Sequence, residues 1–112
     1  MNKIIYIQDV IFLHIRIKAK DKHIQNILQL LYETIAPTHK EDGCLEYRVF
    51  QQDKDILMVG KWKNRMSLDM HLLFGYHLNL FEDILPAISK KISIKTFQEI
   101  EPPITSLSLK NE

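Results

Sequence analysis

The sequence has 112 residues, of which 46% are hydrophobic and 26% are charged, a balance typical of a single soluble globular domain. A formal net charge of +1 gives no electrostatic basis for binding nucleic acid or an anionic membrane, and one cysteine cannot form an internal disulfide. Asp9, His14 and Arg16 interrupt the apolar N-terminal stretch, which argues against a signal peptide or a membrane span. We therefore expect a cytoplasmic protein.

The first predicted elements are a strand and a helix. Apolar and polar residues alternate over residues 10–18, which indicates a strand whose isoleucines and Leu13 share one face. Asp21 is placed to cap a following helix, in which apolar residues recur at helical spacing over residues 24–35. Pro37 is expected to end this helix, because proline lacks the backbone N–H and clashes with the preceding turn.

A predicted hairpin follows the helix. Gly43 supplies a permissive backbone conformation before a second strand, Cys44–Gln52, in which Leu45 and Tyr47 share one face. A polar turn then leads into a third strand over residues 56–62. Because the connection is short, the two strands are expected to pair.

The remaining pattern predicts helices and then a last strand. Asn64 or Ser67 can cap a helix that begins after the third strand. A further helical pattern covers residues 77–88, with a kink or an end expected near Pro86. Alternation returns over residues 90–100 and indicates a fourth strand.

This element order, β-α-β-β-α-β, predicts an α+β ferredoxin-like fold in which an antiparallel sheet carries its helices on one face. Phe12 and Phe50 lie on the opposite face, which then needs a partner, and a second copy of the chain is the simplest one. We therefore expect a homodimer. Residues 1–101 form the predicted domain, and a proline pair ends the last strand, which leaves residues 102–112 as a C-terminal tail.

Two stretches, EDGCLEYRVF at residues 41–50 and ILMVGKWKNRMSLDMHL at residues 56–72, resemble the antibiotic biosynthesis monooxygenase (ABM) domain family. Members typically show an acidic residue, a strand that begins G-C-x-x-Y, a strand that ends in tryptophan, and a short helix that carries a histidine. The matching residues in this sequence are Gly43, Cys44, Tyr47, Trp62, Leu68 and His71.

The resemblance implies a homodimeric α+β barrel, with a cavity between each sheet and its own helices. Some members oxidise polycyclic phenols or quinols with O2 and use neither metal nor flavin. Related members degrade haem, and others isomerise small metabolites. Two positions depart from the family pattern: Gly60 stands where glutamate is common, and Met58 stands on a strand where polyketide-oxidising members often carry polar groups.

The candidate site residues follow from this resemblance. His71 is the expected catalytic base, because histidine titrates near neutral pH and can take a phenolic proton. Trp62, Met58, Gly60 and Leu68 are the expected substrate-binding residues, with Trp62 as a wall on which a flat aromatic ligand stacks. Trp62 and His71 can equally be packed core residues, and at this stage both interpretations stay open.

Cys44 and the remaining histidines are not expected to carry chemistry. Cys44 has no recognisable neighbouring base, which favours packing at a strand start over a nucleophilic role. The sequence holds five histidines, but their spacing does not indicate the convergence of ligands that a metal site requires. We expect no metal and no cofactor.

The leading functional hypothesis is a cofactor-independent monooxygenase that acts with O2 on a small aromatic or quinol-type compound. One alternative is a haem-binding or haem-degrading relative, in which His71 or His77 serves as the axial ligand. Another is a non-enzymatic dimeric module that binds small molecules, and the apolar character of Met58 and Gly60 favours this alternative.

Overall fold

The computed structural model describes residues 3–103. Its element order confirms the predicted β-α-β-β-α-β arrangement, with the second helical region divided into several segments. In chain order the elements are β1 (Ile11–Ala19), α1 (Ile24–His39), β2 (Cys44–Gln52), β3 (Asp55–Trp62), α2 (Arg65–Leu73), α3 (Gly75–Leu78), a π-helical segment (Asn79–Ile84), α4 (Leu85–Ile88) and β4 (Ser89–Phe97).

The strands form one four-stranded antiparallel sheet in the order β2-β3-β1-β4. This topology confirms the α+β ferredoxin-like prediction. Leu13, Ile15 and Ile17 of β1 are almost fully buried and share the face that packs against the helices. Their burial follows from the period-two alternation of the strand, which places every second side chain on the same side.

The hydrophobic core lies between this face and the helices. Ile27 and Leu31 of α1 and Leu85 of α4 are fully buried against the sheet side chains. The helical spacing in α1 aligns its apolar residues along one stripe, and burial of that stripe holds the helix on the sheet.

The helix α1 begins at Ile24 as predicted, but its predicted cap and its predicted end were wrong. His23, not Asp21, occupies the N-cap position, and Asp21 instead pairs with Lys54 at 2.8 Å. The helix continues through Pro37 to His39. Proline is tolerated there because it lies in the last turn of the helix. Its missing N–H removes one hydrogen bond, and only two helical residues follow it.

The second helical region begins as predicted, and it is interrupted between α2 and α3, as the two separate helical patterns of the sequence indicate. The Asn64 side chain caps α2 by accepting a hydrogen bond from the Ser67 N–H at 2.9 Å. Phe74 adopts an extended conformation and separates α2 from α3. Pro86 lies in the first turn of α4, directly after the π-helical segment, where a missing N–H is tolerated, and the helix ends at Ile88.

The other face of the sheet, here called the open face, is not covered by any helix of the described residues. Phe50 and Phe97 remain about half exposed on or beside this face. Leu45 does not share the buried face with Tyr47 as predicted, because a register shift between β2 and β3 falls at this residue and leaves it 55% exposed.

Pairing continues beyond the four strands at one end of the sheet. Tyr6 and Ile100 form an isolated antiparallel bridge, and the Ile7 N–H donates to the Glu99 carbonyl at 2.8 Å. The proposed tail falls largely on residues 104–112, which lie outside the described residues, so the domain boundary stays a prediction. Within residues 3–103, no helix is long and apolar enough to cross a membrane.

Candidate active site

Trp62 and His71 meet in the core between the sheet and α2. Trp62 ends β3, and α2 begins a short turn later, so the chain folds back and places its second turn over the tryptophan. The two ring centroids lie 4.7 Å apart with an interplanar angle of 39°. The relative exposures are 0% for Trp62 and 1% for His71, so both rings are packed rather than open to solvent.

The indole of Trp62 fills the space beside Gly60. A Cβ added at Gly60 would lie 2.1 Å from Cζ3 of Trp62, far closer than two carbon atoms can approach. Met58 does not occupy this space: it packs elsewhere in the core, where its sulfur accepts a hydrogen bond from the Tyr47 hydroxyl at 3.9 Å.

A buried carboxylate, which the sequence analysis did not identify as a site residue, holds the imidazole of His71. Nδ1 of His71 lies 2.8 Å from both carboxylate oxygens of Glu41. The Glu41 side chain is 8% exposed, and it leaves the turn between α1 and β2. The Tyr76 hydroxyl at the start of α3 donates to Oε2 of the same carboxylate. Glu41 therefore links the turn between α1 and β2 to α2 and α3, which follow about 30 residues later in the sequence.

Burial moves the pKa values of this pair toward their neutral forms. Loss of water raises the pKa of Glu41 to about 7. The same effect lowers the pKa of His71 to about 4. Above about pH 7 the pair is therefore a carboxylate and a neutral imidazole. The carboxylate can only accept a hydrogen bond, so Nδ1 of His71 carries the proton and Nε2 keeps its lone pair.

Two buried nitrogen atoms in this site have no hydrogen-bond partner among the described residues. They are Nε2 of His71 and Nε1 of Trp62. Buried polar atoms are normally hydrogen-bonded, because a donor or acceptor without water or a partner costs free energy. With Nδ1–H bound to Glu41, Nε2 is an acceptor, and the indole N–H is a donor. A hydroxyl group can satisfy both, since it donates one hydrogen bond and accepts others.

Other aromatic residues surround the pair. The His77 ring centroid lies 4.7 Å from that of His71, and His77 stacks on Phe81 of the π-helical segment at 4.5 Å. Burial, followed by the nearby His71, lowers the pKa of His77 to about 4. Tyr47 packs edge-on against Trp62, and burial raises its pKa to about 12, so its hydroxyl stays protonated at neutral pH.

The predicted site residues lie together on the helix-covered side of the sheet. Met58, Gly60 and Trp62 alternate onto the buried face of β3, and Leu68 is fully buried on α2. Two grooves of about 370 and 810 Å³ lie elsewhere, one between α1 and β2 and the other on the open face, and none of these residues lines them.

Glu41, Tyr76 and His77 are the site residues that sequence reasoning missed. Glu41 lies in a stretch that carries the family resemblance but was not singled out, and His77 was considered only as a possible haem ligand. Glu41 and His71 are separated by 30 positions, so their contact depends on how α2 folds back, which no periodicity encodes. The available signal was an acidic residue shortly before the second strand, in the stretch that carries the family resemblance.

Cys44 lies against the core, next to but outside this cluster. It is partly buried, and its thiol contacts the Glu46 carbonyl at 3.7 Å. Burial, followed by the charge of Glu41, raises the pKa of the Cys44 thiol, which disfavours the reactive thiolate. Over residues 3–103, no group of three or more His, Cys, Asp or Glu side chains is arranged to hold a metal ion.

The chain is similar to several known proteins. A family model described as antibiotic biosynthesis monooxygenase matches residues 10–82. Protein SO0527 from Shewanella oneidensis has a TM-score of 0.85 and 16% identity, over 89% of this chain and 100% of its own. Rv0793 from Mycobacterium tuberculosis has a TM-score of 0.78 and 18% identity, over 83% of this chain and 97% of its own. A crystal structure of an antibiotic biosynthesis monooxygenase gives a TM-score of 0.71 and 20% identity, over 83% of this chain and 99% of its own. No curated protein matches the sequence.

Proposed function

The chain belongs to the antibiotic biosynthesis monooxygenase family, and from this premise we propose that it is a cofactor-independent monooxygenase of a small aromatic or quinol-type hydroxy compound, with O2 as co-substrate. One observation carries the proposal. The rings of His71 and Trp62 pack against each other with centroids 4.7 Å apart, and Nε2 of His71 and Nε1 of Trp62 are both buried without a partner among the described residues. This acceptor and donor match the hydrogen bonds of a substrate hydroxyl.

His71 acts as the base in this proposal. Its Nε2 takes the proton of the bound hydroxyl, while Glu41 accepts the hydrogen bond from Nδ1 and stabilises the imidazolium that forms. The indole N–H of Trp62 donates to the resulting oxyanion, which develops charge in a site that excludes water. Tyr76 holds Glu41 from the other side and keeps the carboxylate aimed at His71.

The oxidation balances without a further reductant. Loss of the hydroxyl proton gives an electron-rich phenolate or enolate, which can pass electrons to O2. For an anthrone-type substrate, a ring CH2 group becomes C=O: a C–O bond forms to one oxygen atom, the O–O bond breaks, and the second oxygen atom leaves as water with the two hydrogens. The substrate supplies all four electrons, and the protein binds, deprotonates and excludes water.

Substrate entry requires the Trp62 ring to shift from the space beside Gly60 that it fills, and in this proposal the shifted indole keeps its N–H within reach of the bound hydroxyl. Gly60 presents no side chain that would block an aromatic ligand once the indole is displaced. Phe74 breaks the helix between His71 and Tyr76, so α2 and α3 are separate elements over the site. A flat apolar ligand suits the displaced state, since Met58 and Leu68 line the same core.

We also propose that the protein is a homodimer, in which the open faces of two sheets pack together. The half-exposed Phe50 and Phe97 support this arrangement, because large apolar side chains gathered on one uncovered sheet face gain from burial. The interface does not touch His71 or Trp62, which lie on the other side of the sheet.

Fluorescence and oxygen uptake on the same protein test the proposal. Trp62 is the only tryptophan, so quenching by an anthrone or hydroxyquinol reports binding at this site. The wild type should bind and consume O2, and His71→Gln should bind but lower the rate by at least about a hundredfold, the contribution of a general base. His14→Gln removes an imidazole from the open face and serves as the matched control with unchanged rate.

A non-enzymatic binding module is the second candidate, favoured by the packing of Trp62 against Gly60, which closes the core. The same experiment separates the two functions. Quenching without O2 uptake by any phenol tested supports the binding module and rejects the monooxygenase. Uptake that is equal in wild type and His71→Gln rejects His71 as the base.

A further inference from the structure

The open face carries a groove of about 810 Å³ with a strongly cationic wall. Arg16 and Lys18 of β1 and Lys91 and Lys95 of β4 line this wall. They lie on adjacent, hydrogen-bonded strands. This groove is on the side of the sheet opposite His71, so it is separate from the proposed active site.

The strand register brings like charges together in the groove. Lys18 and Lys91 are direct cross-strand partners in the β1–β4 pair, and Arg16 stands opposite Ser93. Like charges directly opposite each other destabilise a pair of strands. Asp55, the cross-strand neighbour of Lys18 on β3, is the acidic residue that lines the groove. Four cationic side chains against one carboxylate leave an excess of three positive charges.

These four cations lack the ion pairs that several other surface cations make. Among the described residues, Lys54, Lys63 and Arg65 each pair with an aspartate at 2.8–3.2 Å, whereas no salt bridge involves Arg16, Lys18, Lys91 or Lys95. The overall charge of the chain is only +1, so this excess is a local concentration and not a general property. A concave surface lined by one sign of charge attracts an ion of the opposite sign.

We propose that this groove binds a multivalent oxyanion, such as a phosphate-bearing or polycarboxylate small molecule. Arg16 offers a planar fork of donors and the three lysines offer ammonium groups, which suit oxygen-rich anions with several charges. The Ser93 hydroxyl adds a neutral donor. Phe50 and Leu57 line the opposite wall and provide an apolar surface for the carbon part of such a molecule.

The site has a consequence for assembly that rests on the proposed homodimer, and not on the monooxygenase activity. In the proposed homodimer the open faces meet, and the four cations of each copy then lie at or beside the interface. Repulsion between them opposes the dimer, and a bound anion removes it. Both subunits then contribute to the binding site of the anion. The anion shifts the monomer–dimer equilibrium toward the dimer, because it binds the dimer more tightly than the monomer.

Titration calorimetry tests binding to the groove directly. Inorganic pyrophosphate and citrate are the probes, at constant ionic strength, because screening by salt alone weakens surface attraction. Wild type should bind at least one of them, and Lys18→Gln/Lys91→Gln should weaken the affinity at least about tenfold. The exposed pair Lys22→Gln/Lys40→Gln makes the same change in charge away from the groove and should bind as wild type does.

The calorimetric results either identify the chemical class of the anion or contradict the proposed site. Preference for pyrophosphate indicates phosphate ligands, and preference for citrate indicates polycarboxylates. Absence of binding heat with both probes overturns the proposal. Equal weakening in the two double variants also overturns it, because the effect is then one of net charge. Tighter binding of a single-stranded oligonucleotide than of either probe assigns the groove to a nucleic acid instead.

Sedimentation analysis of the full chain tests the link to assembly. Pyrophosphate should shift wild type toward the dimer at fixed ionic strength, whereas Lys18→Gln/Lys91→Gln should dimerise without it and no longer respond. A chain that stays monomeric in every condition rejects the dimer but leaves the calorimetric test of the groove intact. A wild-type dimer that is indifferent to the anion rejects the bridging role.

Discussion

At the scale of residues, the protonation of Glu41 decides whether His71 can act as a base. The Glu41 carboxylate accepts a hydrogen bond from Nδ1 of His71 at 2.8 Å and leaves Nε2 free. A protonated Glu41 can instead donate to Nδ1, which places the imidazole proton on Nε2 and removes the acceptor. In the proposed mechanism Glu41 is therefore a positioning residue, and its raised pKa of about 7 puts this change within the neutral range.

The first prediction concerns the pH dependence of O2 uptake. The wild-type rate should rise with pH through about 7, as Glu41 loses its proton. Glu41→Gln should remove this rise, because the amide does not titrate, and should lower the rate while ligand quenching of Trp62 persists. The 15N shifts of His71 give a readout independent of turnover: the wild type should carry its proton on Nδ1 at high pH. A proton on Nε2 in that range would contradict the assignment.

The second prediction concerns the contact between Gly60 and Trp62. Gly60→Ala places a methyl group 2.1 Å from the indole, so the ring must move. We expect a loss of about 1–3 kcal/mol in the free energy of unfolding, as in other overpacked cores, and a red shift in tryptophan emission. Gly75→Ala is the control, because nothing lies within 4 Å of its added Cβ. Unchanged stability and emission in Gly60→Ala would show that the indole does not rest there.

Residue-level predictions from sequence had a clear limit at this site. Trp62 and His71 were identified because a family resemblance marks them, and β3 alternation placed Met58 and Gly60 beside Trp62. The contact of Glu41 with His71 was not identifiable in this way, since it arises from the packing of a turn against a helix. The Trp62 ring fills the space beside Gly60 because of the rotamer that its side chain adopts. The spacing of residues in the sequence does not determine that rotamer.

At the scale of elements, alternation predicted all four strands to within three residues of their observed ends, and the Asn64 cap marked the start of α2. β2 was predicted at its observed bounds, Cys44–Gln52, because nine residues lie between clear turn signals. The end of α1 was missed, since a proline in a last turn costs less than one in a helix interior. The exposure of Leu45 was also missed, because a one-residue register shift reverses the face on which a side chain lies.

The third prediction concerns the cap of α2, the helix that carries His71. Asn64→Ala removes the side-chain acceptor for the Ser67 N–H and should lower the free energy of unfolding by about 1 kcal/mol. Chemical denaturation measures this loss. Asn79→Ala, an exposed asparagine substitution inside the later helical region, should cost little by comparison. Equal losses in the two variants would mean that the cap does not hold α2.

At the scale of the whole molecule, the sheet divides two environments with different chemistry. One face packs against helices and contains the titratable cluster of Glu41, His71 and His77. The open face combines apolar side chains with an excess of positive charge. The sequence predicted that this face needs a partner, because Phe12 and Phe50 alternate onto it. It did not reveal the cationic groove, which appears only when the register pairs Lys18 with Lys91.

The fourth prediction is that the protein is dimeric in solution. Two open faces packed together should bury well above ~1,000 Å², the area of a specific interface. Light scattering at micromolar concentration, in buffer that contains pyrophosphate, should give twice the mass of the chain. Phe50→Glu should weaken the dimer by placing a charge among apolar groups, whereas Tyr32→Glu, on an exposed position of α1, should not. A stable wild-type monomer would contradict the prediction.

The fifth prediction is that stability rises as the pH increases from about 4 to about 6.5. Burial lowers the pKa of His71 and of His77 from 6.5 to about 4. Between these pH values the unfolded chain binds more protons than the folded chain does, so a lower pH favours unfolding. Glu41 has the opposite effect on stability, because its pKa is raised from 4.5 to about 7 in the folded chain. The two histidines outweigh this single carboxyl group. His77→Phe should reduce the slope of unfolding free energy against pH. An unchanged slope would contradict the burial of a neutral His77.

Labelled oxygen gives the most direct test of the central claim, that His71 deprotonates a hydroxy compound for reaction with O2. Wild-type protein is mixed with an anthrone-type substrate under 18O2, and the product is analysed by mass spectrometry. We expect one 18O atom in the new carbonyl group, with the rate lowered at least about a hundredfold in His71→Gln. A product without 18O, or an equal rate of labelled product in the wild type and in His71→Gln, would contradict it.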